Sequence, residues 1–214
     1  MTAVHQHWPV LLSHRTDLRD RLVEAYDRPQ RGYHNVEHLQ EMFGRIDAIL
    51  RATEDALGSH GIDHDAVLLA AWFHDAVYDA GVDNGGNNEE RSARLAVQEL
   101  TDAGCQTQIV DEVARLVRLT STHQVAADDL AGQVLCDADL GILAADERRY
   151  GEYVAGVRHE HRHVSDEDFR NGRAQILRKL LDAPTLYCTS FARQHWESAA
   201  RANIERELHQ HDGT

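Results

Sequence analysis

Lysine is nearly missing from this 214-residue chain: of 22 basic side chains only Lys179 is a lysine, and the rest are arginines. Proline (3 residues), cysteine (3) and aromatic side chains (6%) are scarce too. So little proline, with 14 glycines and 42% hydrophobic residues, excludes collagen-like, low-complexity and strongly disordered chains. Cys105, Cys136 and Cys188 show no CxxC spacing, which argues against a disulfide framework and a thiolate zinc site. No apolar run approaches the ~20 residues of a membrane span. Residues 1–15 carry no signal-peptide pattern, so the expectation is a soluble, cytoplasmic chain with no membrane partner. Positive charge is also short, since 22 basic against 36 acidic side chains give a net charge of -14. Such a surface repels nucleic-acid polymers and anionic lipid. A small anionic substrate stays compatible, because a metal ion or a few arginines reverse the sign of one pocket.

What is abundant is histidine, with 15 residues, and a helical apolar rhythm. Apolar positions recur every three or four residues at Trp8, Leu11, Leu12, Leu18 and Leu22, and again at Val36, Leu39, Met42, Phe43, Ile46, Ile49 and Leu50. Residues 67–73 are almost continuously apolar, and further helical stretches fall at 95–100, 109–119, 150–157, 176–181 and 191–208. No stretch alternates with period two, so the expectation is all-α, with about nine helices in one compact bundle. Breaks fall at 27–32, 58–63, 81–87, 120–127, 163–166 and 182–184. None resembles an interdomain linker, and residues 1–214 read as one domain, with core motifs at 31–143 and C-terminal helices at 146–209. The longest polar break, 80–88, directly follows an apolar helix ending in His-Asp, a position that suits either a substrate gate or a plain surface connection.

Three segments join metal-ligand chemistry to helix geometry: YHNVEH at 33–38, AAWFHD at 70–75 and LCDADL at 135–140. His34 and His38, four residues apart, share one helical face and converge on one pocket. His74 and Asp75 close the most hydrophobic run of the chain, where an ionised carboxylate costs several kcal/mol unless a cation or hydrogen bonds compensate it. Asp137 or Asp139 would complete a set of two histidines and two aspartates, the other reading of each being a helix N-cap. Mixed nitrogen and oxygen ligation with room for water suits a divalent Lewis acid such as Mn, Mg, Fe, Ni, Co or Zn.

Taken in order, His38, His74-Asp75 and Asp139 on an all-helical chain resemble the H...HD...D pattern of the HD-domain superfamily of metal-dependent phosphohydrolases. The 33–38 segment is similar to the YHNxxH signature of cyclic-nucleotide phosphodiesterases, remote relatives of that superfamily. The strings RGYHNVEH, WFHDAVYD, NNEERSA and DADLGIL resemble more particularly a bacterial group of predicted HD phosphohydrolases of about this length, over residues 8–209. The resemblance implies an HD-like bundle in which His38, His74, Asp75 and Asp139 hold the metal, and it favours Asp139 over Asp137. It implies His34 as general acid, Asp79 as a residue orienting water, and Arg31, Arg91 and Arg158 as candidate phosphate binders. It further implies hydrolysis of a phosphoester in a small, nucleotide-like molecule. His123 stands where some HD proteins supply a ligand to a second metal. The second histidine-rich signature and the purine-clamping glutamine of the phosphodiesterases are absent, so cyclic-nucleotide hydrolysis does not carry over.

Two other readings compete. His159-Glu160-His161-Arg162-His163 formally spells HExxH, the pattern of zinc proteases. Its intervening charges and the lack of a downstream GxxH favour a solvated, histidine-rich end of a helix beginning near Asp146. A catalytically silent HD fold binding a nucleotide or a partner is the other alternative, opposed by the cost of keeping such ligands buried without a metal.

Overall fold

The computed structural model describes residues 3–57, 62–82 and 87–212, and within them the chain is all-α, with no strand. The helices are α1 (Thr16–Tyr26), α2 (Val36–Leu57), α3 (His64–Phe73), α4 (Asn87–Asp102), α5 (Thr107–Leu119), α6 (Leu130–Leu140), α7 (Glu147–Glu160), α8 (Asp166–Asp182), α9 (Ser190–His195) and α10 (Glu197–Asp212). Short 3-10 turns sit at Ala3–His7, Val10–Leu12, Ala80–Val82 and Gly141–Ala144. Several helices begin where a side chain accepts an amide of the first turn: Asp63, Asp129, Asp146, Ser165 and Thr189. Residues 83–86 of the polar break at 80–88 lie outside the described residues.

Two expectations need correction. The first apolar repeat is not one helix: Trp8 follows a 3-10 turn and Leu11 and Leu12 occupy another, while α1 starts only at Thr16. Pro9, extended at φ -60° and ψ 141°, interrupts any continuous helix there. The stretch at 191–208 is two helices, broken at Trp196, whose indole packs against both core clusters.

The apolar residues form two clusters. The first wraps α3, in which Ala66, Val67 and Leu69 to Phe73 are fully buried, as expected of a helix apolar all round. Leu18 and Leu22 of α1, Met42, Phe43 and Ile46 of α2, Val113, Leu116 and Val117 of α5 and Val134 and Leu135 of α6 pack around it. The second joins Tyr150 and Tyr153 of α7, Leu177 of α8, Tyr187, and Ile204 of α10, and takes in Tyr33 from the chain before α2. Beside Tyr33, Gly32 faces Gly156 of α7: a β-carbon on Gly32 would overlap the Gly156 carbonyl oxygen, and one on Gly156 would come within 2.7 Å of Gly32 O. Only glycine allows this approach, and it sets α7 directly against the segment that carries His34 and His38. No described helix is long and apolar enough to cross a membrane.

Candidate metal centre

Local structure aims the donors. Asn35 caps α2 with its side-chain oxygen, accepting the amides of Glu37 (2.9 Å) and His38 (3.2 Å), so His38 lies in the first turn and points into the core. His74 ends α3, and its Nδ1 pairs with Ala71 O at 2.8 Å, which fixes the proton on Nδ1 and leaves the Nε2 lone pair facing inward. Asp75 is held through its amide by Tyr26 Oη at 3.2 Å. Asp139 approaches from the last turn of α6.

These residues converge. His38 Nε2 and His74 Nε2 lie 3.1 Å apart, Asp75 Oδ2 is 3.0 Å from His74 Nε2, and Asp139 Oδ1 is 3.3 Å from His38 Nε2. The crossed distances are 3.9 Å from His38 to Asp75 and 3.8 Å from His74 to Asp139. The two carboxylates thus flank an imidazole pair. Bonds of about 2.1 Å place neighbouring ligands about 3.0 Å apart around an octahedral ion and about 3.4 Å apart around a tetrahedral one. The buried group His38, His74 and Asp75, with donor atoms within 4.8 Å of one another, could hold one ion, with Asp139 beside it. The imidazoles are sealed, whereas the Asp75 and Asp139 side chains keep 11% and 17% exposure, so the group opens to solvent on the carboxylate side. His38 Nδ1 is buried without a hydrogen-bond partner among the described residues, and that ring is fixed instead by packing, with Tyr33 centred 4.7 Å away.

The charges agree with a cation site. Burial opposes the charged form of His74, but the adjoining Asp75 and Asp139 outweigh it and lift its pKa to about 9. Burial prevails at His38, held below the usual histidine range despite Asp139. Burial also works against ionised Asp75 and Asp139, yet the neighbouring histidines hold both carboxyls below the ordinary range. Two nearby imidazoles and two ionised carboxylates leave a surplus of negative charge, which a divalent cation would neutralise in place of the His74 proton.

His34 stands next to the group, its ring 5.9 Å from that of His38. Its Nδ1 meets Glu160 Oε2 at 2.7 Å. Glu160, at the C-terminus of α7, also accepts the backbone amides of Tyr33 (2.8 Å) and His34 (2.9 Å) and the Tyr78 hydroxyl (3.0 Å). Burial raises the carboxyl pKa of Glu160, but His34 and the two amides reverse this and hold it at about 2. At His34, burial is outweighed by Asp75 and Glu160, so the imidazolium is favoured. Tyr78 stacks on its ring at 4.2 Å, leaving Nε2 without a hydrogen bond to any described residue.

The remaining expected residues fall elsewhere or take other work. Asp137 faces away from Asp139: its carboxylate accepts the amides of Cys188 (2.8 Å) and Thr189 (2.7 Å) and so ties α6 to the start of α9. Asp79 is exposed and caps the next turn through the Gly81 amide at 2.9 Å. Arg31 is buried, and its guanidinium donates to His34 O (2.9 Å), Asp75 O (2.7 Å) and Ala76 O (3.2 Å) between the Tyr26 and Tyr78 rings. It therefore clamps the two ligand-bearing segments together. Arg158 pins the turn after α7 through Asp166, His161 O and Val164 O. Arg91 is exposed on α4. His123 Nε2 lies 2.9 Å from Asp139 Oδ2, and its backbone, at φ 53°, is the only positive-φ non-glycine among the described residues. That left-handed conformation costs about 1–2 kcal/mol and places the ring against the carboxylate oxygen turned away from the imidazole pair.

The HExxH string does not form a helical pair, because α7 ends at Glu160 and leaves His163 beyond it. His159 and His163 are exposed, as a solvated helix end requires, but Glu160 is buried at 5% exposure, contrary to that reading. The reason is its face: Tyr150, Tyr153, Gly156 and Glu160 recur at helical spacing and are all buried. No family model, curated protein or solved structure matches the chain.

Proposed function

We propose that this protein is a metal-dependent phosphohydrolase of the HD-domain type, acting on a phosphoester of a small, nucleotide-like molecule. The observation that carries the reading is the convergence of His38, His74, Asp75 and Asp139 beside His34, whose outer nitrogen is held by buried Glu160. A divalent ion held by those four residues supplies Lewis-acid polarisation of a phosphoryl oxygen and a more acidic water.

The other steps belong to the chain's own residues. Asp75 and Glu160 together favour the His34 imidazolium and Glu160 fixes the ring, so Nε2 is set to donate a proton to the departing alkoxide. Arg31 holds the backbone of His34 and Asp75 in register, which keeps acid and ligands at one spacing. His123 orients Asp139 through its outer oxygen.

The test is hydrolysis of p-nitrophenyl phosphate, bis(p-nitrophenyl) phosphate and a panel of nucleotides with each divalent metal in turn. Turnover that EDTA abolishes and metal restores, and that His34→Ala removes without loss of metal, is the expected result. A protein that binds metal stoichiometrically yet turns over none of the panel would favour the silent binding module.

A further inference from the structure

A second feature lies across Tyr78 from His34. An open cavity of 670 Å³ is bounded by the end of α1, residues 76–81, α4 and the end of α7, and none of His34, His38, His74, Asp75 or Asp139 lines it. Arg28, Arg91, Arg162 and His163 do. In a chain of net charge -14 the arginines are mostly consumed by carboxylates, as Arg94 and Arg118 are by Glu90 and Arg115 is by Glu112 and Asp129. Arg28 and Arg91 have no carboxylate or hydrogen-bond partner among the described residues. Even Glu90, adjacent to Arg91 in the chain, is turned to Arg94 and Arg118.

The carboxylates in the same wall are already committed. Glu160 is saturated by two amides, His34 and Tyr78, Asp79 sets only one oxygen on the Gly81 amide, and the guanidiniums of Arg28, Arg91 and Arg162 outnumber these two carboxylates. Net positive charge therefore faces this concavity. Free guanidinium forks match the paired oxygens of a phosphate. The volume lies within the range of small-molecule sites, and Leu95 with Tyr78 supplies apolar wall beside the arginines.

We propose that this cavity binds an oxyanion of the phosphate or diphosphate class, through Arg28 and Arg91, independently of the metal group. It requires neither the metal nor phosphohydrolase activity.

The experiment is calorimetric titration of the full chain, stripped of metal with EDTA, with inorganic pyrophosphate and separately with ADP at low salt. Binding is expected in wild type and in Asp75→Asn, and is expected to weaken at least about 10-fold in an Arg28→Gln, Arg91→Gln double variant. An Arg148→Gln, Arg193→Gln control, which loses the same charge elsewhere, should bind as wild type. Equal affinities for the two probes assign the cavity to the free anion, and tighter binding of ADP assigns it to an anion on an organic carrier. Absence of binding in wild type, or equal loss in the control, overturns the proposal. Binding that needs metal and vanishes in Asp75→Asn would overturn it too, while leaving the metal site intact.

Discussion

Two histidine-rich parts of the chain meet opposite fates. His34 and His38 of one segment, His74 of a second and His123 of a third gather around Asp75 and Asp139, whereas His159, His161 and His163 sit within five residues of one another at the end of α7. The formally better motif is the scattered one's inferior as a site. What separates them is the carboxylate beside an apolar helix end: Asp75 follows the most buried helix of the fold, where an uncompensated charge would be expensive, while in the 159–163 segment His159, Arg162 and His163 are exposed and only Glu160 is buried. That glutamate serves the other cluster.

The contrast can be broken most severely at Asp75. Asp75→Asn should lower affinity for divalent metal by more than about 100-fold, since changes outside the ligand shell already cost about 10–100-fold. With metal at about 100 times its Kd, chelation should lower the wild-type Tm by about 5–10 °C and leave that of Asp75→Asn nearly unchanged, which differential scanning fluorimetry would read. A wild-type Tm indifferent to chelation would speak against the site.

Glu160→Gln comes next. Glu160 titrates at about 2 in the fold against 4.5 ordinarily, so its contribution is full above pH 4.5 and is lost as pH falls through about 2. The variant should lose on the order of 3 kcal/mol at pH 7 and show a flatter acid-unfolding profile by circular dichroism. His34 runs the opposite way: its pKa is raised, so its imidazolium is present at low pH and is lost as pH rises through the shifted value. Removing the Glu160 charge lowers that value, and the alkaline limb of the pH-rate profile should move to lower pH, with kcat falling roughly 10²-fold. An unmoved limb would mean that His34 is not the acid.

Smaller effects sharpen the comparison. His123→Ala should weaken metal affinity by about 10–100-fold while keeping one equivalent bound, because His123 acts through Asp139. A drop from two equivalents to one by metal analysis would instead make it a ligand. His159→Ala with His163→Ala should alter stability by less than about 0.5 kcal/mol and leave metal content and turnover as in wild type.

The all-helical architecture was legible because apolar spacing and capping residues agree along the chain. Asp139 over Asp137 was half legible: two residues apart on a helix lie on opposite faces, so only one can serve the site, but which one depends on where α6 docks. The helix breaks at Pro9 and Trp196 are hidden in the sequence, the first because the apolar period runs on across the proline, the second because Trp196 serves two cores at once. Glu160 was missed although its spacing from Tyr150 and Tyr153 placed it on the inward face, since its histidine neighbours suggested solvent. The work of Arg31 was not legible at all. Besides the nearby His34, its carbonyl partners are residues 75 and 76, more than 40 positions away, which only the tertiary fold brings within reach.

The most direct measurement is metal content by mass spectrometry of purified wild type and of a His74→Ala, Asp75→Ala variant grown in the same metal supply, with a His159→Ala, His163→Ala variant alongside. The account predicts one equivalent in wild type and in the second variant, and almost none in the first. Equal content in wild type and the His74→Ala, Asp75→Ala variant would contradict it.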